Sequence, residues 1–185
     1  YLKEYKGKRG KWNNTDFYQL GFASYKQKDY ENAISEFNKI VGGNNSISQN
    51  AYYHLGESYI KLDKKQEALN ALRNASQMDY DLKIQEDAWL NYAKISYEIG
   101  NPYQSAPQVL AGYLEKYPDT SYKEEIETLL IDSYITSKNY KEALKLLESK
   151  KSFENKVAYQ KVTFYRGLEL YNEGDYQEAE LLFNG

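Results

Sequence analysis

Few residues in this chain have types and spacing suited to chemistry. His54 is its single histidine, and cysteine is absent. A zinc site needs about four nitrogen, sulfur or carboxylate ligands gathered together. A lone histidine without cysteine supplies no such set, so His54 reads as a structural or solvated side chain. No HExxH, GxSxG or GxGxxG motif occurs. The run GKRGKW, residues 7–12, has the glycines and bases of a phosphate loop. It lacks the upstream glycine and the Ser or Thr after lysine that hold phosphate and magnesium. Acidic pairs such as Glu124–Glu125 suit the start of a helix, where the macrodipole favours negative charge. No catalytic, metal or cofactor residue is assigned, and the expectation is a protein that is not an enzyme.

Binding chemistry is better represented. The chain holds 21 tyrosines among 185 residues. A tyrosine buries its ring while its hydroxyl reaches water or a partner, which serves thin helical layers and binding grooves alike. The 27 acidic and 24 basic residues leave a net charge of −3, which argues against a general nucleic-acid surface. The absence of cysteine excludes disulfides. No apolar run approaches the roughly 18 residues that span a bilayer.

The elements that carry these residues are short amphipathic helices. In FYQLGFASYKQKDYENAISEFNKI, residues 17–40, Phe17, Leu20, Gly21 and Ser24 share one helical face. Lys26-Gln27-Lys28-Asp29 interrupts it. Tyr30, Ala33, Ile34, Phe37 and Ile40 then form a second stripe, and Asp29 is placed to cap that helix. Each helix is too short to stand alone, so the pair needs neighbours.

The pattern large–x–x–Leu–Gly–x–Ala–x–Tyr, a polar turn, then Asp-Tyr–x–x–Ala-Ile–x–x–Phe resembles the tetratricopeptide repeat. It returns in YYHLGESYIKLDKKQEALNAL, where Gly21 to Gly56 and Ala33 to Ala68 are both spaced by 35. Residues 89–114 match again, with Lys94 in place of the glycine. Pro107 predicts that the second helix there starts late, near Ser105, or bends. A degenerate copy follows at 126–150, and a fifth at 164–183 keeps Gly167, Tyr171, Tyr176, Ala179 and Phe183. Residues 1–14 read as a basic lead-in, and 15–185 as the array, divided at about 14–48, 49–86, 87–123, 124–159 and 160–185. A stop at Gly185, inside a second helix, predicts a piece of a longer array.

The resemblance implies an all-α, right-handed superhelix (α-solenoid) of antiparallel helix pairs, with first helices lining a concave groove. Counting from the pattern, the groove-facing residues are Tyr18, Phe22 and Tyr25; Tyr53, Glu57 and Ile60; and Asn91, Ile95 and Glu98. Thr128, Asp132 and Ile135, then Phe164, Leu168 and Tyr171, complete the set. Some members of the family grip a carboxylate terminus with Lys and Asn. Here Tyr18 and Phe22 stand at those places, so no such clamp is expected. An apolar groove with an acidic middle suits a hydrophobic or basic segment of a partner. The residues of YLEKYPDTSYKEEIETLL, 113–130, further resemble tetratricopeptide proteins of the Gram-negative envelope, including the accessory lipoprotein of β-barrel assembly and the periplasmic partner of the Tol-Pal system. That resemblance implies a bacterial periplasmic or outer-membrane-associated location.

The expectation is a non-catalytic protein-interaction scaffold that binds a protein or peptide in this groove, with no cofactor. The alternative is a structural or self-assembling module of a larger envelope protein. Ala33, Ala68 and Ala143 are expected where adjacent helices touch.

Overall fold

A computed structural model describes residues 11–149 and 153–184. Residues 1–10 of the lead-in read at 1–14, residues 150–152 and Gly185 lie outside the described residues. Every element among the described residues is a helix or a turn. The chain divides into two compact units, Tyr1–Tyr103 and Gln104–Gly185. The first holds α1 (Asn14–Lys26), α2 (Tyr30–Phe37), α3 (Ser46–Lys61), α4 (Lys65–Ser76) and α5 (Leu82–Ile99). The second holds α6 (Ala106–Lys116), α7 (Lys123–Thr136), α8 (Tyr140–Glu148), α9 (Phe153–Glu173) and α10 (Tyr176–Asn184).

Local chemistry explains the helix starts. Asn13 Oδ1 accepts from the Asp16 amide at 3.0 Å while the Asp16 carboxylate accepts from the Asn13 amide at 2.9 Å. This reciprocal cap satisfies donors that the first turn leaves without partners. Asp29 caps α2 by accepting from the Asn32 amide, as expected. Asn45 and Asp81 do the same for α3 and α5. The late start read from Pro107 is also observed: α6 begins at Ala106 with the proline in its first turn, where a missing amide costs nothing. Gln108 reaches back to the Ser105 amide at 3.1 Å.

Four of the turns inside helix pairs repeat one geometry. Lys28, Asp63, Lys138 and Gly174 all have positive φ, at 62°, 56°, 61° and 89°. In each case the next amide bonds back to the carbonyl five residues earlier: Asp29 to Ser24, Lys64 to Tyr59, Asn139 to Tyr134 and Asp175 to Leu170. This left-handed closure satisfies the last carbonyls of one helix and starts the next antiparallel to it. Gly100, at φ 78°, follows the last residue of α5.

Small residues let the helices touch. Ala33, Ala68 and Ala143 are each 0% exposed, as the pattern predicts. Ala106, the same place by count, lies in the first turn of α6 and is only partly buried. In the first unit Ala33, Phe37 and Ile40 pack with Ala51, Leu55 and Ala71, flanked by Phe17, Tyr18, Phe22 and Tyr25. In the second unit Ile131, Ala143, Leu144, Leu147 and Val162 form the corresponding cluster. Polar bonds add to this packing. Gln49, fully buried on α3, donates to the carbonyls of Met78 at 2.7 Å and Asp81 at 3.1 Å. Its Oε1 accepts from the Asp81 amide at 2.7 Å. One side chain thus fixes the α4–α5 connection against α3.

Candidate binding surface

In the first unit the predicted aromatics converge on one histidine. Helical spacing of three and four puts Tyr18, Phe22 and Tyr25 in a row along α1. The row continues across the gap to α3. His54 lies 5.1 Å from Phe22, 5.0 Å from Tyr25, 5.1 Å from Tyr53 and 6.0 Å from Phe37 between ring centroids. Tyr18, Phe22, Tyr25 and Tyr53 are all partly exposed. Their rings therefore hold the helices together and still present a surface.

Carboxylates border that surface. His54 Nδ1 is 2.9 Å from Glu57 Oε2, one turn along the same helix. The Tyr53 hydroxyl is 2.5 Å from Asp87 Oδ2 and 3.3 Å from Glu57 Oε1, so one phenol joins acids on α3 and α5. Asn91 Nδ2 donates to Asp87 Oδ2 at 3.2 Å and to the Asp87 carbonyl at 2.9 Å. Burial opposes the Glu57 charge, but hydrogen bonds from His54, Tyr25 and Tyr53 outweigh it and hold the carboxyl below its ordinary range. Burial, followed by the nearby Glu57 charge, pushes the Tyr25 phenol up to about 12. Burial and the Asp87 hydrogen bond push Tyr53 upward as well, and burial alone raises Tyr18. The phenols are therefore neutral donors, and Glu57 is held as an anion.

Not every predicted position lies on this surface. Ile95 is 6% exposed and belongs to the core. Glu98 is exposed and pairs with Lys65 at 2.9 Å. The cause is register. By burial, Tyr92 and Ala93 take the places of Leu55 and Gly56, and Gly100 takes that of Asp63, each 37 residues on. The spacing of 38 from Ala68 to Ala106 holds only for the second helix, because the turn after Gly100 is longer. Leu90, Lys94 and Tyr97, rather than Asn91, Ile95 and Glu98, therefore repeat the places of Tyr53, Glu57 and Ile60. Asn91 joins the surface by another route, through Asp87.

Sequence reasoning missed His54 and Asp87 as members of the surface. His54 was legible as a neighbour of Tyr53, but a lone histidine carries no signal of five rings around it. Asp87 is one acid among 27, and only the approach of α5 to α3 singles it out.

In the second unit Asp132 and Thr128 are exposed on α7, and Ile135 is partly buried. Phe164, Leu168 and Tyr171 are exposed on α9, at 53%, 40% and 56%. Phe164 also borders a cavity of about 800 Å³ with Leu147, Tyr159, Thr163, Leu182 and Phe183. Among the described residues no group of three or more His, Cys, Asp or Glu is arranged to hold a metal ion. No helix among them is long and apolar enough to cross a membrane.

A family model described as anaphase-promoting complex, cyclosome, subunit 3 matches residues 4–75. No curated protein matches. Among solved structures, YrrB, described as a TPR protein with an unusual peptide-binding site, aligns with a TM-score of 0.53 at 12% identity. That alignment covers 99% of this chain and 89% of the other. MamA aligns at 0.52 and 18% identity over 89% of this chain and 91% of its own. A Podosopora anserina chain of nearly identical TPR-like repeats aligns at 0.52 and 14% identity over 92% and 91%. At these identities the likeness is one of fold. The chain has a tetratricopeptide-like helical-repeat architecture.

Proposed function

We propose that this tetratricopeptide-like chain is a non-catalytic protein-interaction scaffold, and that a peptide segment of a partner binds across Tyr18, Phe22, Tyr25 and Tyr53. The observation that carries this reading is the row of partly exposed rings on α1 and α3, bordered by Glu57 and Asp87. Apolar surface with a few polar groups aimed into it is the usual composition of a recognition site. The YrrB likeness in fold adds support, since that protein has a peptide-binding site.

The test is capture of partners from extract by the protein and by a Tyr18→Ala/Phe22→Ala/Tyr53→Ala variant, with helicity checked by circular dichroism. A partner lost only in the folded variant supports the reading. A partner held equally by both moves the site elsewhere.

A second reading, self-association, is favoured by the exposed Phe164, Leu168, Leu181 and Phe183 of the second unit. A mass that rises with concentration in sedimentation would select it. The envelope location is also a proposal, resting on residues 113–130. Fractionation of cells carrying the tagged protein tests it.

A further inference from the structure

We infer that the segment seated on the ring row of the first unit presents a guanidinium or ammonium group beside an apolar side chain, and that Glu57 and Asp87 receive the cation. This rests on the peptide-binding reading above. Three observations carry it.

The first is charge. Glu57 and Asp87 come from different helices and meet at one phenol, that of Tyr53. Among the described residues neither has a lysine or arginine within ion-pair distance; of basic groups Glu57 meets only the imidazole of His54, at 2.9 Å. Two anions this close to one hydroxyl repel each other. A partner's cation relieves that repulsion, and an acidic partner adds to it.

The second is that the rings already hold a cation. The Lys26 ammonium lies 5.0 Å from the Phe22 centroid and 5.9 Å from that of Tyr25. This is the range in which the negative face of a ring attracts a positive charge. Lys26 is exposed and is the last residue of α1, so it can swing into water when another cation arrives.

The third is continuity. Phe22, Tyr25, His54, Tyr53 and Asp87 form an unbroken chain of contacts. An aliphatic stem or neighbouring apolar residue can lie on the rings while its charge reaches the acids. A neutral apolar segment would fill the rings and partly dehydrate both carboxylates without compensating them, which is costly. The polarity is opposite to that of a site built to hold a terminal carboxylate.

The test uses a phage-displayed library of random peptides panned on the intact protein. Selected peptides are then measured by fluorescence polarisation on the protein and on Glu57→Gln, Asp87→Asn, Lys26→Ala and Tyr18→Ala/Phe22→Ala variants, each checked for helicity. The expected result is enrichment of Arg or Lys beside an aromatic or aliphatic residue. Glu57→Gln or Asp87→Asn then weakens such a peptide by roughly ten- to hundredfold, the worth of a charge-assisted bond. Lys26→Ala tightens it. Enriched peptides without basic residues, or affinities indifferent to the two charge variants, overturn the cation inference and leave peptide binding standing. No enrichment, or binding untouched by Tyr18→Ala/Phe22→Ala, overturns both.

Discussion

A β-carbon placed on Gly21 would lie 2.8 Å from Cε1 of Phe37, a ring that is itself 0% exposed. The two residues are sixteen positions apart, and the relationship recurs at Gly56 with Leu72 and at Gly167 with Phe183. A glycine in the first helix thus receives the bulky residue of the second. Three contacts built on one spacing are the physical content of the repeat.

The recurrence separates two outcomes for the same substitution. Gly21→Ala gains helix propensity of about 0.5–1 kcal/mol, but it drives a methyl into a ring that has nowhere to go. Overpacking of this kind costs about 1–3 kcal/mol, so the net effect is destabilising. At Gly167 the opposing Phe183 is 44% exposed and can swing aside. Gly167→Ala is expected to be neutral or slightly stabilising. Urea midpoints with unchanged slopes measure both, and equal losses at the two sites would contradict the argument.

Three turn residues, Lys28, Asp63 and Lys138, sit at positive φ without being glycine. Side chains with a β-carbon pay about 1 kcal/mol or more there. Each is therefore expected to gain stability on replacement by glycine, by roughly 0.5–1 kcal/mol after the entropy of the freer unfolded chain is subtracted. Gly174→Ala, at φ 89°, should lose a similar amount. Thermal midpoints of the single variants and of the triple variant decide it.

Gln49 holds the α4–α5 connection with both ends of its amide. Gln49→Leu keeps the volume but leaves the Met78 carbonyl and the Asp81 amide without this partner. Loss of about 2–4 kcal/mol is expected, from two groups at roughly 1–3 kcal/mol each with some rescue by water. Amide exchange should accelerate first at residues 78–85. A Gln49→Leu protein of unchanged stability would show the clamp to be incidental.

The raised phenol of Tyr25 makes stability fall in alkali. Its folded value, about 12, exceeds the ordinary 10.0, so the folded chain keeps a proton that the unfolded chain gives up. The contribution is complete below pH 10.0 and is lost as pH climbs through about 12. Glu57 behaves in the opposite sense. Its lowered value gives stability above the ordinary 4.5 that is lost as pH falls through the folded value. Urea unfolding across both ranges should show a flatter alkaline limb in Tyr25→Phe and a flatter acid limb in Glu57→Gln.

Much of the fold was legible in residue order. The alternation of apolar stripes with Lys26–Asp29, the cap at Asp29, the late helix start near Ser105, and the constant spacing of Ala33 and Ala68 all depend on local propensity, which acts over a few residues. The ring row Tyr18–Phe22–Tyr25 was implied by the resemblance to the tetratricopeptide pattern, whose first helices line a groove. The register of α5 was not, because the extra residue of the third repeat lies after Gly100, beyond α5, and a count taken from the second helices carries it back onto the first. A shift of one residue rotates a helix by about 100°, which is why Ile95 is in the core.

By itself, then, the sequence determined that this chain is a succession of helix pairs and which faces of them are apolar, since those are matters of period and turn chemistry. Only the tertiary structure decided that His54 lies among the rings of Tyr18, Phe22, Tyr25, Phe37 and Tyr53, and that Asp87 meets Tyr53 from a helix 34 residues away. Contacts between helices depend on how closely their backbones approach, and that distance is set by the summed packing of small and large side chains rather than by any one segment.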